Sequence, residues 1–565
     1  MMKLMNIDKF FLKRNYFSVI LLLSTIIVSI YYFTVGIFFE TNDDHFIAEI
    51  LSGSLTGTPD YHTIYTGVFF SVPISLLYRV IPSFSWYGVA LIAALVVAYS
   101  LASRAFISCV QGVSNQFVFL FGDIAFFASL LYLNTNIQYT SISLICAAFG
   151  FVCLLFDEDR NRGLVSWGII ELLAYSIRPE SMEIVQPIGF FVYFGVLVSQ
   201  YKKRKNFKVF LSALLKSLAI SVMIILVGVV TYKFCYNTDE WKRALEVNES
   251  RTLLMDYYGT YSPDEIVDLL AENDISKEEY DAYFALINYD WDNSSELLGI
   301  LAQKASLEKA QDVVFVDVAK WTVSGFYSDM IWGYKRTILV CAMVQVLGVL
   351  LLKKWSVFLY DFCFFLGKLI SLGYIYYKGR MPFRIMYPFW ILELVFWILT
   401  ILYISMGTEY LRQRLYSILF LVVFAWVIYY TLKPQIDRVG ALLSQNVTFS
   451  VTDDVILDYC NSHPENKYIL LNNAFAYWKK TPFEIIKRND NCIYSGGWFA
   501  VSPAFKIKAN QYLSDGAIHF IGIEMENEMI PAKAFFEKKY GKIPQLLEQI
   551  EVKETGVVYS VYCAR

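Results

Sequence analysis

Long apolar runs recur along the chain and are separated by short polar breaks. The first, Phe17 to Phe38, follows Lys3, Lys9, Lys13 and Arg14 and runs directly into a polar stretch from Glu40 to His62. Further runs lie near Gly67 to Ile81, Trp86 to Phe106, Phe117 to Leu133, Ile142 to Phe156, Leu164 to Ile177, Ile184 to Val198 and Phe207 to Phe234. Four more follow near Ile338 to Leu352, Val357 to Tyr377, Ile385 to Ile404 and Tyr416 to Leu432. A bilayer core takes roughly 20 apolar residues per helical crossing, so the pattern predicts an α-helical polytopic membrane protein with about 11–12 membrane segments.

Basic residues before Phe17 place the N-terminus inside, and the first span, which no small-residue cleavage site follows, delivers Glu40 to His62 to the outer face. The cluster Lys202-Lys203-Arg204-Lys205 is also expected inside. Counting back from it puts Arg178 to Glu183 outside, the Asp157 to Arg162 loop inside and the polar island Asn134 to Thr140 outside. Three full crossings between Glu40 to His62 and that island would reverse the side. One of the three is therefore expected to be short, re-entrant or not fully spanning.

Cys235 to Asp329 reads as an ordered helical insert on the outer face, because Ser262-Pro263-Asp264-Glu265 and Ser276 with Glu279 are capping boxes. Lys353-Lys354 and Arg412 with Arg414 mark inner turns, while Lys378 to Arg384 falls at an outer one, against the usual bias. From Lys433 the composition changes. Strand-like runs Tyr468 to Leu471, Ile518 to Ile523 and Val557 to Tyr562 alternate with helical Val455 to Tyr459 and Ala532 to Tyr540, which predicts a small outer α/β domain. The expected divisions are an N-terminal membrane module (1–234) with a first outer loop (39–66), the helical insert (235–330), the C-terminal spans (331–432) and the α/β domain (433–565).

Within Glu40 to His62, Phe46, Ile47, Ile50 and Leu51 recur at helical spacing, Asn42 can cap the start and Gly53 can end the element. The expectation is a short amphipathic helix lying on the membrane surface, with Asp43 and Asp44 in its first turn. Adjacent helical side chains diverge by about 100°, so at most one of the two acids faces a substrate and the other is the better cap. First-turn carboxylates also complement the helix dipole without doing chemistry. Thr56-Gly57-Thr58-Pro59 reads as a turn that leads into Asp60-Tyr61-His62.

Composition narrows the class further. Over 565 residues, 56% are hydrophobic and the mean hydropathy is +0.45, which excludes a soluble enzyme. Forty-eight Lys and Arg against 51 Asp and Glu give a net charge of −3, so nucleic acid is not an expected partner. Nine cysteines include no CxxC pair. Cys109, Cys146, Cys153, Cys341 and Cys363 fall in or beside apolar runs as small hydrophobes, and Cys460, Cys492 and Cys563 allow one disulfide at most.

The polar groups expected outside at membrane depth are the acids Asp43, Asp44, Asp60, Glu180 and Glu183, the cations Arg178, Lys378, Arg380 and Arg384, and neutral Gln138 and Tyr139. Such a set suits an anionic, lipid-linked substrate transferred to a hydroxyl. A carboxylate can take the hydroxyl proton as general base, and arginine forks match the oxygens of a leaving phosphate. The lipid tail would lie in a groove between spans. Each group also has a plain structural use: Arg178 can pair with Glu180, Lys378, Arg380 and Arg384 can snorkel to headgroups, Arg251 and Asp256 can reach back to the active site or form a salt bridge inside the insert, with the salt bridge favoured, and His45 and His62 can be structural or donate to a sugar.

The uncleaved first span, the pair Asp43-Asp44 one turn beyond it, the following helix and Thr-Gly-Thr-Pro-Asp-Tyr-His turn, the many spans and the outer α/β domain together resemble the GT-C class of integral-membrane glycosyltransferases. Asp43-Asp44 corresponds to the acidic pair that members carry in the first outer loop. The resemblance implies transfer of a sugar from a polyprenyl-phosphate-linked donor to a hydroxyl of a glycan, lipid or protein acceptor, at the outer face of the cell membrane. It implies that one of Asp43 and Asp44 is the base, with Asp44 favoured, and that Arg178, Glu180, Arg380, Arg384, Lys378, Gln138, Tyr139, Asp60 and His62 bind substrate. No cofactor is expected; the class differs in metal use, and the sequence shows no metal-ligand cluster. Two other readings use related chemistry: a polysaccharide polymerase or ligase, which would want a histidine in a large outer loop, and a lipid-sugar transporter or flippase, which would want two related halves.

Overall fold

The computed structural model describes residues 2–108, 113–284, 291–310, 315–327, 334–378, 382–405, 410–471, 481–484, 491–514, 516–524, 529–553 and 555–565. Arg380 and Cys109 lie outside these described residues. The chain is mostly helical, with a small C-terminal sheet. It divides into two compact units, the first built from Met1–Phe38, Gly88–Thr231 and Phe315–Ala441, and the second from Phe39–Tyr87, Tyr232–Val314 and Leu442–Arg565. The stretch after the first apolar helix, the insert and the C-terminal domain therefore belong to one compact unit.

Seven helices among the described residues are long and apolar enough to cross a membrane: Tyr16–Thr34, Trp86–Ser108, Tyr139–Phe156, Glu180–Lys202, Phe207–Cys235, Ser356–Tyr377 and Phe383–Ile404. Val68–Val80, Phe119–Ser129 and Thr337–Leu352 are apolar but shorter. The 13 residues of Val68–Val80 extend only about 20 Å at 1.5 Å per residue, short of a hydrocarbon core of roughly 30 Å. Val68–Val80 and Phe119–Ser129 are both among the three segments of which one was expected not to span. Arg160–Ile177 is a regular 18-residue helix, yet it carries Arg160, Arg162 and buried Glu171 and falls outside the seven.

In the first unit, helices pack where small residues permit it. Gly367 of Ser356–Tyr377 lies against Glu180–Arg204 so closely that a Cβ there would sit 2.5 Å from the Cα of Ile188. Ser371, one turn on, donates to the carbonyl of Ile184 at 2.7 Å. The turn between Tyr139–Phe156 and Arg160–Ile177 is fixed by Asp159, whose side chain accepts from the amides of Asn161 and Arg162, and by Asp157, which pairs with Arg104 and Arg162. Large apolar side chains such as Val222, Leu226 and Val230 stay exposed along Phe207–Cys235, the kind of surface a bilayer covers.

The second unit has a core of Trp241, Val247, Leu254, Leu270, Tyr280, Leu298 and Leu301 from the insert. Both capping boxes form. The amide of Ser262 donates to Glu265 at 2.7 Å ahead of a 3₁₀ turn with Pro263 in its first position, and Ser276 and Glu279 bond reciprocally at 3.2 Å at the head of Lys277–Phe284.

The C-terminal sheet has five strands: β1 (Tyr468–Leu470), β2 (Cys492–Tyr494), β3 (Ile518–Ile523), β4 (Pro544–Val552) and β5 (Val557–Ala564). Their order is β2-β1-β3-β5-β4, with β1 parallel to both neighbours and β5 antiparallel to both of its own. The expected helix at Val455 to Tyr459 is the end of a continuous helix, Tyr410–Ser462, which runs through the expected boundary at 433. Cys460, Cys492 and Cys563 are buried free thiols.

On β3, burial pushes the His519 imidazole below its ordinary pKa; the Arg565 guanidinium adds to the effect and Glu465 opposes it. The folded ring holds its proton less well than the unfolded one. Its contribution to stability is expected to be complete above about pH 6.5 and lost as pH falls below that value. Hydrogen exchange of Ile518–Ile523 in the full chain between about pH 5 and 7.5 reads this. His519→Gln should flatten the profile, and an unaltered slope would assign it to another group.

Candidate functional site

The polar stretch after the first apolar helix folds as expected in outline and differs in placement. A helix spans Asn42–Ser52 and ends at Gly53 in the left-handed region, φ 83°. Thr41, not Asn42, occupies the N-cap position, because its backbone is extended and Asn42 already has helical geometry. The helix does not present a polar face to solvent: every residue from Asp44 to Leu51 is buried. The 490s loop covers it, with Phe46 packed on Phe499 at 4.1 Å and on Tyr494 at 5.7 Å between ring centroids, and the Tyr494 hydroxyl donating to Glu49 at 3.2 Å.

The tight turn behind Gly53 holds this helix in place. A Cβ at Gly53 would stand 2.4 Å from the amide nitrogen of Pro59. Left-handed φ alone costs a non-glycine residue about 1–2 kcal/mol, and the collision adds to it. Gly53→Ala is expected to lower the melting temperature of the full chain and to speed proteolysis between residues 53 and 60. An unchanged melt and cleavage rate would show that the turn relaxes freely.

The two acids have different surroundings. Asp44 is fully buried: Tyr87 donates its hydroxyl to Oδ1 at 2.9 Å, and Thr41 Oγ1 lies 3.3 Å from Oδ2. Asp43 is half-buried, and its Oδ1 accepts from the indole Nε1 of Trp498 at 3.1 Å. The Tyr65 ring meets Trp498 edge-on at 4.9 Å. Arg251 reaches the Tyr65 hydroxyl at 3.4 Å. Burial raises the Tyr65 pKa, Arg251 offsets part of that rise, and Asp43 and Asp256 add to it.

Arg251 is buried at the end of the helix Asp239–Thr252, where the chain passes into a π-helical turn, Leu253–Tyr258. The expected pairing with Asp256 is present at 4.0 Å. Its bonds to Asn248, Thr252 and Tyr65 measure 3.3–3.4 Å, long for charge-assisted contacts, which run near 2.7–2.9 Å. Asp43, Tyr65, Arg251 and Trp498 form one side-chain chain in the second unit; the sequence singled out Asp43 and left Arg251 either reaching the site or pairing inside the insert. Nothing local marks Tyr65 or Trp498; the π turn that positions Arg251 is equally silent in the sequence.

Asp60 and His62 act as a pin. His62 Nδ1 lies 2.6 Å from Asp60 Oδ1, Nε2 lies 3.2 Å from the carbonyl of Cys235, and the ring stacks on Trp241 at 4.6 Å. Nδ1 is used within the stretch itself, and Nε2 together with the stacked ring ties it to the insert.

The other expected residues form their own group at one end of the first unit. Arg178 donates to the Tyr139 hydroxyl, lies 5.0 Å from that ring's centroid and pairs with Glu180 at 3.3 Å. Tyr374 donates to Glu183, and Lys378 Nζ stands 5.7 Å from the Tyr374 ring centroid. Ser141 donates to the carbonyl of Arg384 at 2.8 Å. Gln138 is buried and caps Tyr139–Phe156, its side chain accepting from the amide of Ser141 at 2.9 Å. Among the described residues, no group of three His, Cys, Asp or Glu side chains is placed to hold a metal ion. Compared with known proteins, the chain matches no family model, no curated protein and no solved structure.

Proposed function

We propose that this protein is a membrane glycosyltransferase of the GT-C type, working at the outer face of the cell membrane on a polyprenyl-phosphate-linked sugar. The observation that carries the proposal is the setting of Asp43: a half-buried carboxylate in the first turn of the helix that follows the first apolar span, held by Trp498, with Tyr65 and Arg251 next in line. Asp43 takes the base role rather than Asp44, since both oxygens of Asp44 are engaged away from solvent.

In the step, the acceptor hydroxyl oxygen attacks the anomeric carbon while the bond from that carbon to the phosphate oxygen breaks. The hydroxyl proton passes to Asp43, and the phosphate leaves with the bonding electron pair. Arg251 is the cation that meets the developing phosphate charge. Trp498 and Tyr65 offer the aromatic faces and polar tips that suit a sugar ring.

The test uses the full-length protein in detergent, where no sidedness exists, with a set of polyprenyl-phosphate sugars and hydroxyl acceptors. Glycosylated product together with free polyprenyl phosphate is expected. Donor binding without product across the set would reject an enzyme and favour the transporter reading.

A further inference from the structure

The first unit contains an apolar cavity of about 310 Å³ among Tyr139–Phe156, Glu180–Arg204, Ser356–Tyr377 and Phe383–Ser405. That volume is at the small end of ligand sites, enough for one hydrocarbon chain rather than two. Phe151, Val192, Phe364 and Phe396 line its body. Water gains little in such a space, because it needs two to four polar partners.

Polarity is confined to the side chains Ser199, Gln200, Tyr360, Thr400 and Tyr403, which lie within two turns of their helix ends. Cations border these same residues. Arg160 donates to Gln200, and Lys354 Nζ stands 5.9 Å from the Tyr403 ring centroid, with the Tyr360 ring 5.9 Å from that of Tyr403. Three of the neighbouring acids have protein partners: Asp157 pairs with Arg104 and Arg162, Asp159 caps Arg160–Ile177, and Asp361 accepts from Gln345 at 2.7 Å. One end of the cavity is thus polar and cationic, and the remainder is hydrocarbon-like.

We propose that this cavity takes one acyl chain of an anionic glycerophospholipid, whose phosphate lies beside Arg160 and Lys354. The cationic end carries the Lys202-Lys203-Arg204-Lys205 and Lys353-Lys354 clusters, which the positive-inside bias assigns to the cytoplasmic leaflet, where anionic lipids concentrate. The site is independent of Asp43 and of any transfer reaction, and the bound lipid is a structural or regulatory ligand rather than a substrate.

Native mass spectrometry of the delipidated full-length protein tests the assignment. Phosphatidylglycerol, phosphatidylcholine of the same chain length and a polyprenyl phosphate are titrated in parallel. One tightly held phosphatidylglycerol is expected, bound about tenfold more tightly than phosphatidylcholine. Arg160→Gln with Lys354→Gln, both at the surface and compatible with folding, should erase that preference. Val196→Phe, which fills the cavity, should remove the adduct for both phospholipids. A preference that survives the charge substitutions, an adduct that survives the filling substitution in folded protein, or polyprenyl phosphate displacing phosphatidylglycerol stoichiometrically would each overturn the proposal.

Discussion

Asp43→Asn is expected to leave a folded protein whose sugar transfer falls by about 10²–10⁴-fold, the usual contribution of a general base. The amide keeps the size of the carboxylate and can still accept from Trp498 Nε1 through its oxygen, so the 3.1 Å contact need not be lost. What it loses is the ability to take a proton. Asp44→Asn should behave differently. Its carboxylate is fully buried between the Tyr87 hydroxyl and Thr41, and the amide presents donors where oxygens stood, so the main readout is a lower melting temperature with a smaller loss of turnover. Arg251→Lys keeps the charge but removes the planar fork, and turnover should fall with little change in stability. The three variants separate the assignments. Full activity in Asp43→Asn alongside a folded, inactive Asp44→Asn would exchange the roles of the two acids, and normal transfer in both and in the double variant would remove the pair from the mechanism.

The parts of the fold that the sequence made legible are those set by local rules. The apolar run that begins at Phe17, helical to Thr34 rather than to Phe38, the left-handed Gly53, the capping boxes at Ser262 and Ser276, and strand β3 all depend on neighbours within a few residues, and all are present. Length reading was less discriminating. A run such as Leu164 to Ile177 looks like a span until Arg160, Arg162 and Glu171 are counted along the whole helix. Strand β2 is three residues between polar Asn491 and Ser495, and β4, an edge strand beginning at Pro544, carries Glu548, Gln549 and Glu551 among its apolar residues with most side chains exposed, so neither stood out as a strand.

The candidate site was legible at Asp43 and, as one of two alternatives, at Arg251. Trp498 lies 455 positions from the acid it donates to, and Arg251 lies 186 from Tyr65, so no periodicity or spacing could reveal these meetings. The buried placement of Asn42–Ser52 has the same origin. Its spacing of Phe46, Ile47, Ile50 and Leu51 promised one apolar face, whereas Tyr494 and Phe499 supply a cover that also buries His45 and Glu49.

Lys368→Met is expected to destabilise the first unit by about 3–5 kcal/mol, the usual result of stripping one partner from a buried ion pair. Lys368 Nζ lies 2.7 Å from Glu393 Oε2, with side-chain exposures of 2% and 3%, and 5.0 Å from the ring centroid of Trp390. Both residues belong to helices apolar enough to cross a membrane, Ser356–Tyr377 and Phe383–Ile404. Charges so placed are retained either because they act or because they fix how two helices meet. The double variant Lys368→Met with Glu393→Leu distinguishes these. If the pair only sets packing, the double variant should recover most of the stability lost in the single one, since two apolar side chains of similar volume replace two desolvated charges, and transfer should recover with it. Unfolding in mixed detergent micelles gives the stability and the detergent assay gives the turnover. A double variant that refolds to wild-type stability yet stays inactive would move the pair from packing into function, and one as unstable as the single variant would show that these charges stabilise the bundle outright.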